Sequence, residues 1–269
     1  MGHIRLGSLP KTRKWNEIVE HVAGTLLTGY VVPTAAVHID TIAAQTLDAA
    51  RAGLSKAAHD PGVRYTFYLL TQVALASRSS NWEGALAQHG IHLSGDSTVF
   101  DLTVEVQSAI DRYLSKRSSG ATDLSEMAQQ SAGEALLSLL GTRTVSLFGG
   151  SIADVRNAVR SFSTTKGFGQ LGQRFFGRFI ARFLNFYLSR VTAATLGSPR
   201  LRDVGDVVQF NEVLRAHCDQ SALIVRDFCG EWYSKTEYQK GIDLRNTSRF
   251  LAVAVKKVRS ELAHQGTEL

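Results

Sequence analysis

The chain has 269 residues, of which 44% are hydrophobic and 20% are charged, and its formal net charge is +6 at pH 7. These proportions are typical of a globular protein and exclude a chain that is disordered over most of its length. The length fits one large domain or two small ones.

Cysteine content and hydropathy bear on where the protein works. Cys218 and Cys229 are the only cysteines, too few for a disulfide framework, which favours a reducing compartment. The first residues lack the pattern of a secretory signal. Residues 21–39 carry no Asp, Glu, Lys or Arg, but Pro33 and several threonines make them a poor membrane span. We therefore expect a cytoplasmic protein.

Apolar residues recur at helical spacing along most of the chain, and no segment has the alternation of a strand. We predict an all-α fold, a multi-helix bundle of roughly nine to ten helices, with a turn at Asp60-Pro61-Gly62. In chain order the predicted helices run from Thr12 to Gly24, Ala35 to His59, Val63 to Ser77, Asn81 to Gly90, Asp96 to Lys116, Asp123 to Leu140, Ser151 to Phe162, Gly167 to Ala194, Val207 to Lys235 and Asp243 to His264.

A break near residues 141–150 suggests how the chain is organised, because Ser146 to Gly150 reads as a loop before the next helix. It would separate an N-terminal helical region, 1–145, from a C-terminal helical region, 146–269. The two regions form either one large domain or two packed helical subdomains. The C-terminal region contains a basic segment at 155–202.

The basic segment, from Val155 to Arg202, contains no Asp or Glu in 48 residues and accounts for the whole net charge. Segregated positive charge focuses the potential on one surface and favours an anionic partner. Asp203, Asp206 and Glu212 follow at once and are candidates to neutralise part of it. Its nine basic residues are Arg156, Arg160, Lys166, Arg174, Arg178, Arg182, Arg190, Arg200 and Arg202.

The predicted helix 167–194 carries an arginine stripe beside an aromatic face. At about 100° per residue, Arg174, Arg178 and Arg182 span about 80° of the helix surface. Three interpretations remain open: a central core helix with a solvated arginine edge, a helix whose arginines contact successive phosphates, and a helix inserted in a membrane interface. The face beside the stripe comprises Phe175, Phe176, Phe179, Ile180, Phe183, Phe186 and Tyr187.

Three further groups of residues are candidates for chemistry. Gly167–Gly172 matches G-x-G-x-x-G, but no strand precedes it and no acidic residue follows about 20 positions on, so we predict a turn with close helix packing rather than a dinucleotide site. His89 and His92 flank Gly90 without further ligands at metal spacing. Cys218 and Cys229 are predicted to be buried thiols on one helix face.

Arg259 and His264 have R-x4-H spacing on the last predicted helix. The six residues resemble the short motif of HEPN-type ribonucleases, which are all-α bundles that usually act as dimers. In that family the Arg and His converge on the RNA phosphate and ribose hydroxyl, so the resemblance implies a ribonuclease with Arg259 and His264 in its site. The alternative is a solvated helix end whose cations complement the helix dipole.

Taken together, the sequence favours a non-catalytic helical subunit of a larger intracellular assembly. Its basic surface would contact nucleic acid or an acidic protein partner, and a protein partner or homo-oligomer is expected. The alternatives are the ribonuclease and a peripheral membrane protein that uses Phe175, Phe176 and Phe179. We predict no cofactor, metal or small-molecule substrate. The predicted contact residues are Arg156, Arg160, Lys166, Arg174, Arg178 and Arg182.

Overall fold

The computed structural model describes residues 54–118, 120–142, 151–195 and 203–265, with side chains at 187–195, 210, 259 and 262–265 left undescribed. Within these residues the predicted all-α fold is confirmed, since helices pack into one bundle and no strand occurs. We number nine helices: α1 (Pro61–Ala76), α2 (Trp82–Ala87), α3 (Val99–Ser115), α4 (Asp123–Leu140), α5 (Ile152–Arg160), α6 (Thr165–Thr195), α7 (Val204–Ser221), α8 (Arg226–Lys240) and α9 (Leu244–Gln265).

Side-chain caps fix where several helices begin. Asp60 accepts hydrogen bonds from the N–H groups of Gly62 and Val63, and Pro61 occupies the first turn of α1, as expected of a residue without an N–H. Thr122 and Ser125 each accept a hydrogen bond from the other's backbone N–H, which starts α4. The helix predicted from Ala35 to His59 lies within the described residues only from Leu54 onward, and the helix predicted from Thr12 to Gly24 lies wholly outside them.

The prediction of one helix from Val207 to Lys235 is wrong. α7 ends at Ser221, a short 3₁₀ turn spans Ala222–Val225, and α8 begins at Arg226. No proline or glycine marks the break. Ala222 and Val225 are fully buried, and the turn packs against α6 and α9. Tertiary packing therefore redirects a segment whose local preference is helical.

α6 is the central helix of the bundle, in contact with α4, α7 and α8. Its aromatic face fills the core: Phe175, Phe176 and Phe179 are each 2% exposed or less. Phe67 of α1 lies among these rings, with its ring centroid 5.5 Å from that of Phe175 and 5.6 Å from that of Phe176. Of the three interpretations left open for this helix, the burial of these rings supports the central core helix.

Glycines allow α6 and α8 to approach closely. A Cβ on Gly169 would lie 2.5 Å from the carbonyl oxygen of Arg226, and one on Gly172 would lie 2.6 Å from Cys229 Sγ. The G-x-G-x-x-G run lies inside the first turns of α6 and follows a 3₁₀ turn at Ser161–Ser163. The predicted close packing is confirmed, whereas the predicted turn is wrong because these glycines are helical.

Replacing Gly169 by alanine is expected to destabilise the protein by about 1–3 kcal/mol, because the new methyl group meets a backbone carbonyl that only a shift of α8 can relieve. This cost exceeds the gain of about 1 kcal/mol in helix propensity. Urea denaturation measures the change. Gly95→Ala is the control, since its Cβ would have no atom within 4 Å; equal stabilities of the two variants would contradict the close packing.

Candidate functional site

The arginine stripe of α6 faces two carboxylates from neighbouring helices. Glu134 lies in α4 and Asp219 in α7, so the stripe is where three helices meet. Gly177 lets α7 come close, because a Cβ at that position would clash with the Asp219 side chain. We call the six charged residues of this junction the arginine cluster: Arg174, Arg178, Arg182, Arg215, Glu134 and Asp219.

Glu134 is the hub of the arginine cluster. Arg178 Nε lies 3.0 Å from its Oε1, and Arg182 Nη2 lies 3.0 Å from its Oε2. Arg215 of α7 contacts the same Oε1 through Nη2. Arg182 also donates to Gln130 Oε1 at 3.0 Å. One carboxylate thus holds α4, α6 and α7 together through three guanidinium groups.

Asp219 closes the other end of the arginine cluster. Its Oδ2 lies 3.3 Å from Arg174 Nη1 and 3.6 Å from Arg178 Nη1. Arg178 therefore lies between the two carboxylates, and only 12% of its side chain is exposed. Of the arginines in the cluster it is the most buried, and it contacts both carboxylates.

Positive charge is in excess in the arginine cluster, because four guanidinium groups share two carboxylates. Burial is the main cause that lowers the pKa of Arg178 and of Arg182, and for Arg178 the neighbouring guanidinium groups lower it further, against the opposing effect of Asp219. Three nitrogens, Arg178 Nε and Nη1 and Arg182 Nε, are buried without hydrogen-bond geometry to any atom of the described residues. The side chains of Arg174, Arg182 and Arg215 remain 37%, 36% and 47% exposed.

The other three predicted contact residues lie at the corner between α5 and α6. Arg156 is half-buried and donates to the carbonyl oxygens of Ser77 at 3.3 Å and Ser79 at 2.5 Å, so it is tied to the end of α1. Arg160 and Lys166 are exposed, and within the described residues no carboxylate lies at ion-pair distance from either.

The membrane interpretation of α6 fails on burial. Insertion requires that the aromatic face be exposed beside the basic one, but Phe175, Phe176 and Phe179 are core residues. Among the helices described, we also find none with a stretch long and apolar enough to cross a membrane.

Among the described side chains, the candidate catalytic groups form no site. Arg259 and His264 lie on α9, but their side chains are outside the described ones. Cys218 and Cys229 are fully buried, as predicted, and burial raises the pKa of both thiols, which disfavours the nucleophilic thiolate. They lie on separate helices, α7 and α8, rather than on one helix face. In the described part of the chain no group of three His, Cys, Asp or Glu side chains is arranged to hold a metal ion.

Sequence reasoning missed Glu134, Asp219 and Arg215. The sequence offered Asp203, Asp206 and Glu212 as candidates to neutralise part of the basic segment. Within the described residues, the carboxylates that contact the arginine stripe come from α4 and from the far end of α7. Asp203 instead caps α7. A weak signal existed: Glu134 is the one acidic residue of α4 beyond its first turn.

Comparison of this chain with protein-family models, with curated proteins and with solved structures finds no match.

Proposed function

We propose that this chain is a non-catalytic helical subunit that binds nucleic acid through the exposed side of the arginine cluster. The observation that supports this proposal is the surplus of guanidinium groups over carboxylates at a surface where three of the arginines are more than one third exposed. An arginine that shares its carboxylate with other arginines keeps N–H groups that can donate to a phosphate. Arginine binds phosphate in a bidentate manner.

The spacing of the exposed arginines suits a phosphate backbone. Arg174 and Arg182 are separated by about 12 Å along α6. Over about 12 Å of duplex axis, one DNA strand has three to four phosphates, since the rise along the axis is about 3.4 Å for each. Arg215 adds a third exposed cation from α7. Arg178 has a positioning role. Because both carboxylates hold it, it fixes the neighbouring charged side chains and does not itself contact the ligand.

The test is the binding of labelled single-stranded RNA and double-stranded DNA by the full chain at about 50 and 200 mM salt. We expect affinity to fall on the order of a hundredfold over this range, because several phosphate contacts release counterions. An Arg174→Gln, Arg215→Gln double variant is expected to bind at least about tenfold more weakly at low salt.

The matched control is Lys116→Gln with Lys235→Gln, which removes the same charge at two exposed positions outside the cluster. Equal losses in the two variants would show that only net charge matters and would overturn the site. If the protein binds neither RNA nor DNA at low salt, the proposal of a nucleic-acid partner is wrong, and an acidic protein partner becomes the better hypothesis. RNA cleavage that is lost in His264→Ala would support the ribonuclease interpretation instead.

A further inference from the structure

α9 has one buried and one exposed face, and the exposed face is basic. Its apolar residues pack toward α1, α7 and α8, and among them Leu251 and Ala254 are fully buried. On the opposite side, Arg245, Arg249 and Lys256 are exposed. At about 100° per residue these three fall within about 40° of arc, so they form one line along the helix. We call this line the α9 stripe.

The α9 stripe differs from the arginine cluster because it is uncompensated. No Asp or Glu occurs between Leu244 and Ser260. Within the described residues, no carboxylate lies at ion-pair distance from Arg245, Arg249 or Lys256. The neighbouring Lys257 is used differently: its Nζ lies 5.0 Å from the centroid of the Phe228 ring and helps to fasten α9 to α8.

We propose that the α9 stripe is a second interaction surface, which binds the phosphate backbone of a nucleic-acid duplex independently of base sequence. The stripe extends for about 16 Å, and over the same length of duplex axis one DNA strand has about five phosphates. A straight row of like charges, with no acidic residue between them, complements a polymer of evenly spaced anions. The proposal rests on the proposed function only for the class of partner, since it uses no residue of the arginine cluster.

Other partners fit the α9 stripe less well. A lipid surface is bound by helices that expose large apolar or aromatic residues beside their cations, and on the exposed face of α9 the large apolar residue is Val253, 46% exposed. Phe250, the aromatic residue of the helix, is 3% exposed. Among the described side chains of α9, no ring is therefore presented on this face for stacking on unpaired bases, which single-strand binding uses. Phosphates of a duplex require neither feature.

The test is a triple variant, Arg245→Gln, Arg249→Gln and Lys256→Gln, in the full chain. Glutamine is nearly as good a helix former as arginine and lysine, so α9 is retained. Binding to two labelled DNA duplexes of unrelated sequence is measured by fluorescence anisotropy across a salt series. We expect the slope of log K against log salt to fall in magnitude by about 2.7 for three lost phosphate contacts, equally for both sequences.

The control variant is Lys56→Gln, Lys116→Gln and Lys235→Gln, which removes the same three charges at exposed positions outside α9 and is expected to keep the slope. A triple α9 variant with the slope of the unmodified protein would overturn the inference. If that variant binds normally while the Arg174→Gln, Arg215→Gln variant does not, the inference fails and the proposed function stands. The reverse result supports the α9 stripe and overturns the arginine cluster.

Two further results would overturn the inference. One is binding to vesicles of anionic lipid, or to polyglutamate, with no binding to DNA. The other is a slope that changes for one DNA sequence alone, because contacts to phosphates carry no sequence information.

Discussion

Replacing Glu134 by glutamine is expected to lower the free energy of unfolding by about 3 kcal/mol, the lower end of the range for breaking a buried ion pair, because the Glu134 side chain is still 26% exposed. Three guanidinium groups lose their shared carboxylate at once, and Arg178, 12% exposed, has little access to water in compensation. For a domain of this size the midpoint of thermal unfolding should fall by about 6–12 °C. Thermal and urea denaturation measure both quantities.

The control is Glu212→Gln, since Glu212 lies exposed on α7 and its replacement should change stability by less than about 0.5 kcal/mol. A double-mutant cycle with Arg178→Met isolates the interaction itself. The double variant no longer contains the most buried of the guanidinium groups that lose Glu134, so it should be more stable than the sum of the single losses implies, by at least about 1 kcal/mol. Stability of Glu134→Gln within experimental error of the unmodified protein would show that the cluster does not form in solution.

The same substitution separates the structural role of the cluster from the proposed binding role. Glu134 holds the guanidinium groups of Arg182 and Arg215, and under the proposed function it would compete with a phosphate for them. Below the unfolding temperature, Glu134→Gln should therefore bind nucleic acid more tightly, although it folds less stably. If the cluster only holds the helices together, Glu134→Gln should lower the stability of the protein without raising its affinity for nucleic acid.

The faces of α6 were predictable because they depend on one helix alone. The spacing of its phenylalanines and arginines, read at helical periodicity, predicts one aromatic face beside one arginine stripe, and the structure has that aromatic face in the core. The partners of those arginines were not predictable in this way. Glu134 and Asp219 lie more than 35 residues from the arginines they contact, and only the packing of α4 and α7 on α6 brings them together.

The break between α7 and α8 and the α9 stripe were missed for opposite reasons. The turn at Ala222–Val225 contains no residue that ends a helix, so local sequence could not reveal it. The α9 stripe is visible in the sequence as cations without acids, but cations near the end of a helix also complement the helix dipole, and the sequence alone does not separate the two roles. Which cations are unpaired depends on the fold: the segment with the larger charge excess, 155–202, contains the more compensated arginines.

The last prediction tests whether the aromatic face of α6 is core in solution. Phe175→Ala is expected to cost about 3–5 kcal/mol, because it leaves a cavity in a fully buried site. The Phe175 ring lies 5.5 Å from that of Phe67, 5.3 Å from that of Phe176 and 6.1 Å from that of Phe179, measured between centroids. Urea denaturation gives the loss.

Tyr238→Ala is the matched control, since that ring is 90% exposed and should contribute less than about 0.5 kcal/mol. A membrane-inserting face makes the opposite prediction for Phe175→Ala: unchanged stability in solution together with weaker flotation on anionic vesicles. Loss of stability without any flotation by the unmodified protein would establish the phenylalanines as the support of the arginine cluster. The buried rings would then fix α6 in the bundle, and α6 in turn places the guanidinium groups at the surface.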